Sequence, residues 1–530
     1  MAERVTGMDA AFLELESPTM HLHVVGVLVL DPSTAAGGFT PERLAQLFTE
    51  RLHLIPPFRR KVVEVPGGLD HPRWIEDDGF DLGNHLIFHD LGGDATTDDL
   101  ERFVGEVSAE PLRRDVPLWQ TNLVEGFADG TVAVVTKIHH ALMDGSAGGD
   151  IMTMLLDLTP DPPEPAAPDG PADEGSAAET GERPPSARRL LLGVGPAAFM
   201  RLARVPGAIW HTVSSMAGSA KEVAAQPGAI LSFAPTSPLN GPLTPHRTVA
   251  FRRCSLDDLQ LVHHALDVTI NDVVLAATTM AMRGYLVARE ETPTEPLVAS
   301  VPVDRRRDGE QFGNHTSNIL VRLPVQLDDA RAVVASVHET STVAKAAGQA
   351  LDSTLLDRWI GLLPAALLTA GAAVYSRFGL GRHHPPIFNT IVSNMPGPPM
   401  PLYLAGAQIV ALYPMGPLIA NTGLNLTVLS HDGKVDVGII ACPDLVDDVG
   451  ELADRFVDAV AALVTLSTPP PDLGTDMVDV PDPFEVEAGG AIDLRDQPDL
   501  NLPDHPRPEV QEVQIPDLPR PTLAVPEGAG

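Results

Sequence analysis

The chain is 530 residues long and 44% hydrophobic, with 71 acidic against 36 basic residues and a formal net charge of −35. That length exceeds one typical core and predicts two domains, and so large an acidic excess argues against nucleic acid as a partner. The charge is uneven: from Thr468 onward, 14 acidic and 3 basic residues stand among 13 prolines. Such a composition cannot bury enough apolar surface to fold, so 468–530 is expected to be a disordered acidic tail. Cys254 and Cys442 are far apart and show no ligand spacing, which predicts buried thiols, no disulfide framework and no metal site. Charges interrupt the N-terminus where a signal peptide needs an apolar core. The apolar run 360–375 falls short of a spanning helix and contains Pro364. The expectation is a cytoplasmic protein whose membrane contact is limited to the surface.

In chain order, residues 8–15 predict a short helix and His21 to Leu30 a strand ended by Asp31-Pro32. Thr40-Pro41 reads as an N-cap and first turn leading into Leu44, Leu47 and Leu52. Strands are predicted at 58–65 and 74–77, and a helix at 98–110. Pro117-Leu118-Trp119 opens a strand pair, 120–127 and 131–138, joined by a hairpin at Asp129-Gly130. A helix is predicted over 147–158.

Residues 160–187 are almost wholly Pro, Ala, Asp, Glu, Ser and Gly, with Arg183 among the exceptions, and read as a flexible linker. Between Arg188 and Lys221 the character inverts to five basic and no acidic residues around Phe199 and Trp210. Two readings of this segment stay open: a surface helix on an anionic membrane or lipid inclusion, or a crossover whose cations balance an acidic neighbour.

Beyond it come a strand (247–254), a helix (255–266), and Thr269-Ile270-Asn271-Asp272 capping an Ala-rich helix to Ala288. Strands follow at 297–303 and in 313–323, then helices at 328–347 and near residue 360. A strand at 389–393 leads into a stiff loop, Asn394-Met395-Pro396-Gly397-Pro398-Pro399. A hairpin of 424–430 and 435–440 precedes a last helix, 445–463. The fold class is α+β. The expected division is 1–159, linker 160–187, crossover segment 188–245, a second domain over 246–467, and the tail.

The stretch with chemical character is Thr131 to Gly145, where a β-branched run ends in His139-His140, followed by Asp144 and Gly145. Strand alternation puts His140 on the face of Ile138, Val134 and Val132, and His139 on the opposite face with Lys137 and Val135. One histidine alone can face a given cavity. Adjacent histidines pointing apart, with no further ligand cluster, are a poor metal site. A structural strand end is a second reading. General-base catalysis is the third: imidazole titrates near neutrality and can take a proton from an attacking alcohol and return it to a departing thiolate.

His139-His140-Ala141-Leu142-Met143-Asp144-Gly145 resembles the HHxxxDG signature of acyl-CoA-dependent acyltransferases with the chloramphenicol-acetyltransferase-like fold. Further stretches resemble one branch, the bacterial wax ester synthase/acyl-CoA:diacylglycerol acyltransferase family. They are MDAAFLELE (8–16), Thr19-Met20-His21, Pro117-Leu118-Trp119, INDVVLA (270–276), VPVDRR, GNHTSN, and Ser393-Asn394-Met395-Pro396-Gly397-Pro398.

The resemblance spans about 8–463 and implies two chloramphenicol-acetyltransferase-like domains with mixed sheets flanking a central tunnel. It implies transfer of a long-chain acyl group from acyl-CoA, as co-substrate and without further cofactor, to diacylglycerol, or alternatively to a long-chain fatty alcohol. By the same resemblance His140 is the general base, His139 its supporting neighbour, Asp144 structural, and Gly145 the shaper of the loop. Asn271, Asp272, Ser393, Asn394, Pro396 and Gly397 belong to the substrate tunnel. His139 and Asp144 also fit the HxxxxD spacing of glycerol-phosphate-type acyltransferases, in which the first histidine acts. A catalytically silent protein coating lipid stores is the remaining alternative.

Overall fold

Strand order is what brings the functional stretch to its place. The computed structural model describes residues 3–5, 7–142, 154–161, 234–304, 316–350 and 385–468. The predicted linker, most of the basic segment, the apolar stretch near 360, and the tail beyond Thr468 lie outside them. So do Asp144, Gly145 and most of the predicted helix 147–158.

The first half contains β1 (Glu3–Arg4), α1 (Gly7–Leu15), β2 (His23–Asp31), α2 (Pro41–Arg51), β3 (Arg60–Val63) and β4 (Arg73–Glu76). It continues with β5 (Leu86–Ala95), α3 (Thr97–Ala109), β6 (Trp119–Phe127) and β7 (Val132–His139). The second half contains β8 (Thr248–Ser255), α4 (Leu256–Leu266), α5 (Ile270–Ala288), β9 (Leu297–Asp304), β10 (Thr316–Leu323) and α6 (Ala330–Ala350). Then come β11 (Thr390–Pro396), β12 (Tyr403–Leu404), β13 (Ala407–Met415), β14 (Leu424–His431), β15 (Lys434–Ala441) and α7 (Val449–Ser467).

Two six-stranded sheets carry the fold, in the orders β12-β13-β2-β7-β6-β5 and β10-β9-β11-β14-β15-β8, beside a small β1-β4-β3 sheet. Both large sheets are mixed: β5 runs parallel to β6, and β11 runs parallel to β9 and β14, among antiparallel pairs. The architecture is α+β, as composition and pattern predict. No single helix among the described residues is long and apolar enough to cross a membrane.

Alternation along the strands sorts side chains into three cores. Leu28, Leu30, Val132, Val134 and Ile138 pack with α1, α2 and Trp119. Val25, Val27, Ala133 and Val135 pack against α3 and against Val249, Phe251 and Ile440 of the second sheet. Ala250, Val437 and Ile439, on the other face of that sheet, pack beneath α4 to α7. The second half therefore shares one core with the first.

It also lends the first sheet a strand: β13 pairs antiparallel with β2, with a register shift between Ile409 and Ala411. The shift leaves Val410 out of the ladder, and Arg253 donates to its carbonyl while Asp436 accepts from the Leu412 amide at 2.8 Å. Gly438 lets this strand approach, because a Cβ there would sit 2.2 Å from the Pro414 carbonyl oxygen.

Both predicted helix caps are present. Thr40 and Thr269 accept from the amides three residues on, and Thr269 with Asp272 forms a full capping box. Three expectations need correction. Asn394, Met395 and Pro396 are not loop; they pair with Val428, Leu429 and Ser430 in β11, and the turn begins at Gly397. The last helix starts at Val449 under an Asp448 cap rather than at 445. Strands β1, β5, β12 and β13 were not anticipated.

Candidate functional site

Strand β7 ends at His139, and neighbouring backbone pins the residues that follow. The His139 amide donates to Leu118 O at 3.0 Å, so Pro117-Leu118-Trp119 fixes the strand end. The His140 amide donates to Leu22 O at 2.9 Å, and Leu142 N closes a turn onto His139 O at 2.9 Å. Leu22 sits at φ 54°, a conformation that costs a leucine energy and that persists where surrounding structure holds it.

The two histidines part as alternation predicts. His139 is buried beside Lys137, and His140 is half-buried with its ring 4.3 Å from that of Phe12 at an interplanar angle of 29°.

Around His139 stands a cluster that strand periodicity alone does not reveal. Its Nδ1 accepts from Ala141 N at 3.1 Å, and its Nε2 lies 3.6 Å from Glu16 Oε2. The other oxygen of Glu16 is 3.8 Å from His23 Nε2, and Arg114 donates to the same carboxylate. His23 lies opposite His139 in the β2–β7 ladder, with ring centroids 5.8 Å apart, and His21 stacks on His23 at 5.6 Å.

Burial raises the Glu16 carboxyl, but the nearby His139 ring and the Arg114 guanidinium outweigh it and hold the group below the usual carboxylate range. Burial lowers His139 against the opposing pull of Glu16. His23 falls well below the ordinary imidazole value, through burial and then through His139, Lys137, His21 and Arg247. Lys137, buried with its ammonium on the Val107 and Glu110 carbonyls at the end of α3, is pushed down to about 8, chiefly by desolvation.

A second-half residue closes the cluster. Arg247 donates to Thr19 O at 2.7 Å, and Met20 Sδ accepts from Ala420 N at 3.1 Å. These contacts hold the Ser17 to His21 segment against the strand end. Glu16, His21, His23, Arg114 and Arg247 were not anticipated as site residues. The available signals were that His21 and His23 share a strand face and that Glu16 ends the MDAAFLELE stretch.

The remaining predicted residues lie on the second sheet and its helices. Asn271 is half-buried at the start of α5. Asp272 is buried, with its oxygens engaged by Thr269 N, Ser341 Oγ and His338 Nδ1 at 3.0, 2.5 and 2.8 Å. Ser393 and Asn394 are half-buried on β11 and Pro396 is exposed. Gly397 donates to Ser430 Oγ at 3.2 Å, and a Cβ there would meet Ser430 O at 2.2 Å, so only glycine fits the turn. Among the described residues, no group of three or more His, Cys, Asp and Glu is arranged to hold a metal.

Two family models match the chain, and the first runs past the first sheet into the start of α5. Residues 5–274 match the wax ester synthase/diacylglycerol acyltransferase catalytic domain, and 312–464 match the WS/DGAT C-terminal domain. The chain is similar to a Mycobacterium tuberculosis protein that bears the name of a diacylglycerol O-acyltransferase. The two are 34% identical over 475 residues, 89% of this chain and 92% of the relative. A second so-named protein of that organism is 33% identical over 86% of this chain and 94% of its own.

In fold, the chain is similar to the wax ester synthase/diacylglycerol acyltransferase from Marinobacter aquaeolei VT8. The TM-score is 0.61 at 24% identity, covering 88% of this chain and 99% of that one. It is also similar to the first condensation domain of the calcium-dependent antibiotic synthetase, with a TM-score of 0.53 at 16% identity, covering 88% and 96%.

Proposed function

The chain belongs to the wax ester synthase/diacylglycerol acyltransferase family, and from that premise we propose that it transfers a long-chain fatty acyl group from acyl-CoA to diacylglycerol, giving triacylglycerol. His140 is the general base. The observation that carries this choice is the unequal burial of the pair: His139 is enclosed, whereas His140 keeps partial exposure at the strand end.

In the reaction the acceptor hydroxyl attacks the thioester carbonyl, and its proton passes to the His140 imidazole. As the carbon–sulfur bond breaks, the same proton moves to the CoA thiolate, leaving ester and free thiol. No covalent enzyme intermediate and no cofactor beyond acyl-CoA is needed. Asp144 and Gly145 complete the motif in structural rather than catalytic roles. Asn271 and the Ser393 to Gly397 stretch form tunnel wall, with Asp272 holding the helix end that carries Asn271. The enzyme works in the cytoplasm, at the surface of the membrane or of lipid inclusions, which Arg188 to Lys221 is suited to touch.

A wax-ester reading, with a fatty alcohol as acceptor, stands beside it because the family's name carries both activities; the Mycobacterium names carry diacylglycerol alone. Purified protein supplied with labelled palmitoyl-CoA and either acceptor separates them. His140→Ala is expected to lower turnover by roughly 10²–10⁴-fold, while His139→Ala keeps part of it. Full turnover by the His140 variant would sink the assignment and favour the first-histidine chemistry of the HxxxxD type. Ester with neither acceptor from the unaltered chain would leave a lipid-binding protein.

A further inference from the structure

The proton path just described uses one imidazole and leaves the ionised cluster behind it without a task. We propose that Glu16 is a positioning residue that selects the tautomer of His139 and, through it, fixes the turn presenting His140 to the substrates. The inference rests on His140 being the base.

The argument begins at His139 Nδ1. It accepts the Ala141 N–H at 3.1 Å, so this nitrogen carries a lone pair and the proton of the neutral ring is on Nε2. That N–H faces the Glu16 carboxylate at 3.6 Å and has no hydrogen-bond partner among the described residues. In a buried site a negative oxygen opposite an N–H favours this tautomer over the one that would leave a bare lone pair facing the carboxylate. The opposite tautomer would also set two N–H donors against each other at Ala141.

His139 grips the turn twice, through its ring at Ala141 N and through its carbonyl at Leu142 N. His140 lies between those grips. A ring in the wrong tautomer releases the first of them and with it the orientation of the base.

The surroundings fit a fixed carboxylate. Arg114 bonds Glu16 and reaches back to Leu13 O at 3.0 Å, anchoring the end of α1 where Glu16 stands. Besides Glu16, the group facing His139 from another element is His23 on β2, itself buried. Arg114 brings positive charge that works against a doubly protonated His139, and Arg247 does the same for His23. Glu14, two residues earlier, is committed elsewhere, 3.5 Å from buried His71.

The test is a double-mutant cycle in the full chain, with kcat and KM for palmitoyl-CoA as readouts. Glu16→Ala should lower kcat on the order of 10- to 100-fold, the range seen when a carboxylate that orients a functional histidine is lost, with KM unchanged and partial rescue in Glu16→Asp. Because Glu16 acts through His139, Glu16→Ala/His139→Ala should be no slower than His139→Ala. Losses that multiply in the double variant, or a rise in KM with kcat kept, would overturn the proposal.

Where Glu16→Ala does not fold, Glu16→Gln, which can still accept from Arg114, enters the same cycle with the same expectation. Nitrogen-15 spectra of histidine-labelled protein give a second readout. The signal missing in His139→Ala should show protonated Nε2 in the unaltered chain and a tautomer mixture in the Glu16 variants; an unchanged signal counts against the proposal. Turnover surviving in His140→Ala would instead strike the base assignment, whatever the Glu16 cycle shows.

Discussion

Each half of the molecule sets a carboxylate against a histidine, and the two pairs are built differently. In the second half, Asp272 is saturated: Thr269 N, Ser341 Oγ and His338 Nδ1 all bond it within 3.0 Å, and the His338 side chain is 45% exposed. In the first half, His139 is enclosed, and its Nε2 faces Glu16 from 3.6 Å without a hydrogen bond among the described residues. A buried polar group that is fully bonded holds structure together, while one left slack calls for a reason in function. The Asp272 pair ties the start of α5 to α6. The Glu16 pair backs the turn that carries His140. Breaking the first should therefore destabilise the fold, and breaking the second should slow turnover.

The largest effect on stability is expected from Asp272→Ala. It strips three donors of their acceptor at once, one at the start of α5 and two within α6, and it removes the capping box of a 19-residue helix. The loss is expected to be about 3 kcal/mol, discounted for the exposure of His338. Urea unfolding followed by circular dichroism measures it. Glu16→Gln in the same assay should cost about 1 kcal/mol or less, since a Gln can still accept from the partly exposed Arg114. Equal losses in the two variants would erase the distinction.

The same contrast explains what was legible in sequence. The Asp272 box was readable because its partners are three residues apart, within one turn. The faces of β7 were readable because alternation is local, and His139 and His140 do part as it requires. Glu16 was not, because a glutamate ending an exposed-looking helix reads as solvated until its fold neighbours, 98 and 123 residues away in sequence (Arg114 and His139), are placed beside it.

Strand β13 was missed for a related reason. Its pairing with β2 joins residues nearly the whole chain apart, such as Gln408 and Asp31, and its register depends on Arg253 and Asp436 filling the bulge at Val410. Strand β5 escaped because it is an edge strand whose Ile87 and Phe88 are both exposed, so no two-residue period marks it. Pro396 looked like loop because proline breaks ladders, but at a strand end its missing N–H costs little.

Acid should sharpen the comparison next. Burial lowers His21, His23 and His139 below the ordinary value of 6.5, so the folded chain refuses protons that the unfolded chain takes. Stability is then fully present above 6.5 and is lost as pH falls below it, by up to about 1.4 kcal/mol per pH unit for each histidine. Glu64 and Glu101, raised mainly by burial from 4.5, act in the opposite direction at lower pH, so the histidines are read most cleanly just below 6.5. Unfolding free energies of the unaltered chain and of His23→Asn, taken in that range, should differ in slope by up to one proton. Parallel curves would mean that His23 titrates normally in the fold.

The smallest effect tests whether the Asp272 site is as saturated as its distances imply. Ser341→Ala removes one donor and leaves Thr269 N and His338 on the carboxylate. Asp272 then loses the bond at Oδ1 while Oδ2 keeps both of its own. The expected cost is about 1 kcal/mol, the usual net value of a single hydrogen bond, with no change in kcat, because nothing in this tie reaches the turn after β7. A drop in kcat at unchanged stability would instead show that this tie also sets Asn271 in the tunnel wall, and the two carboxylate–histidine pairs would no longer differ in kind.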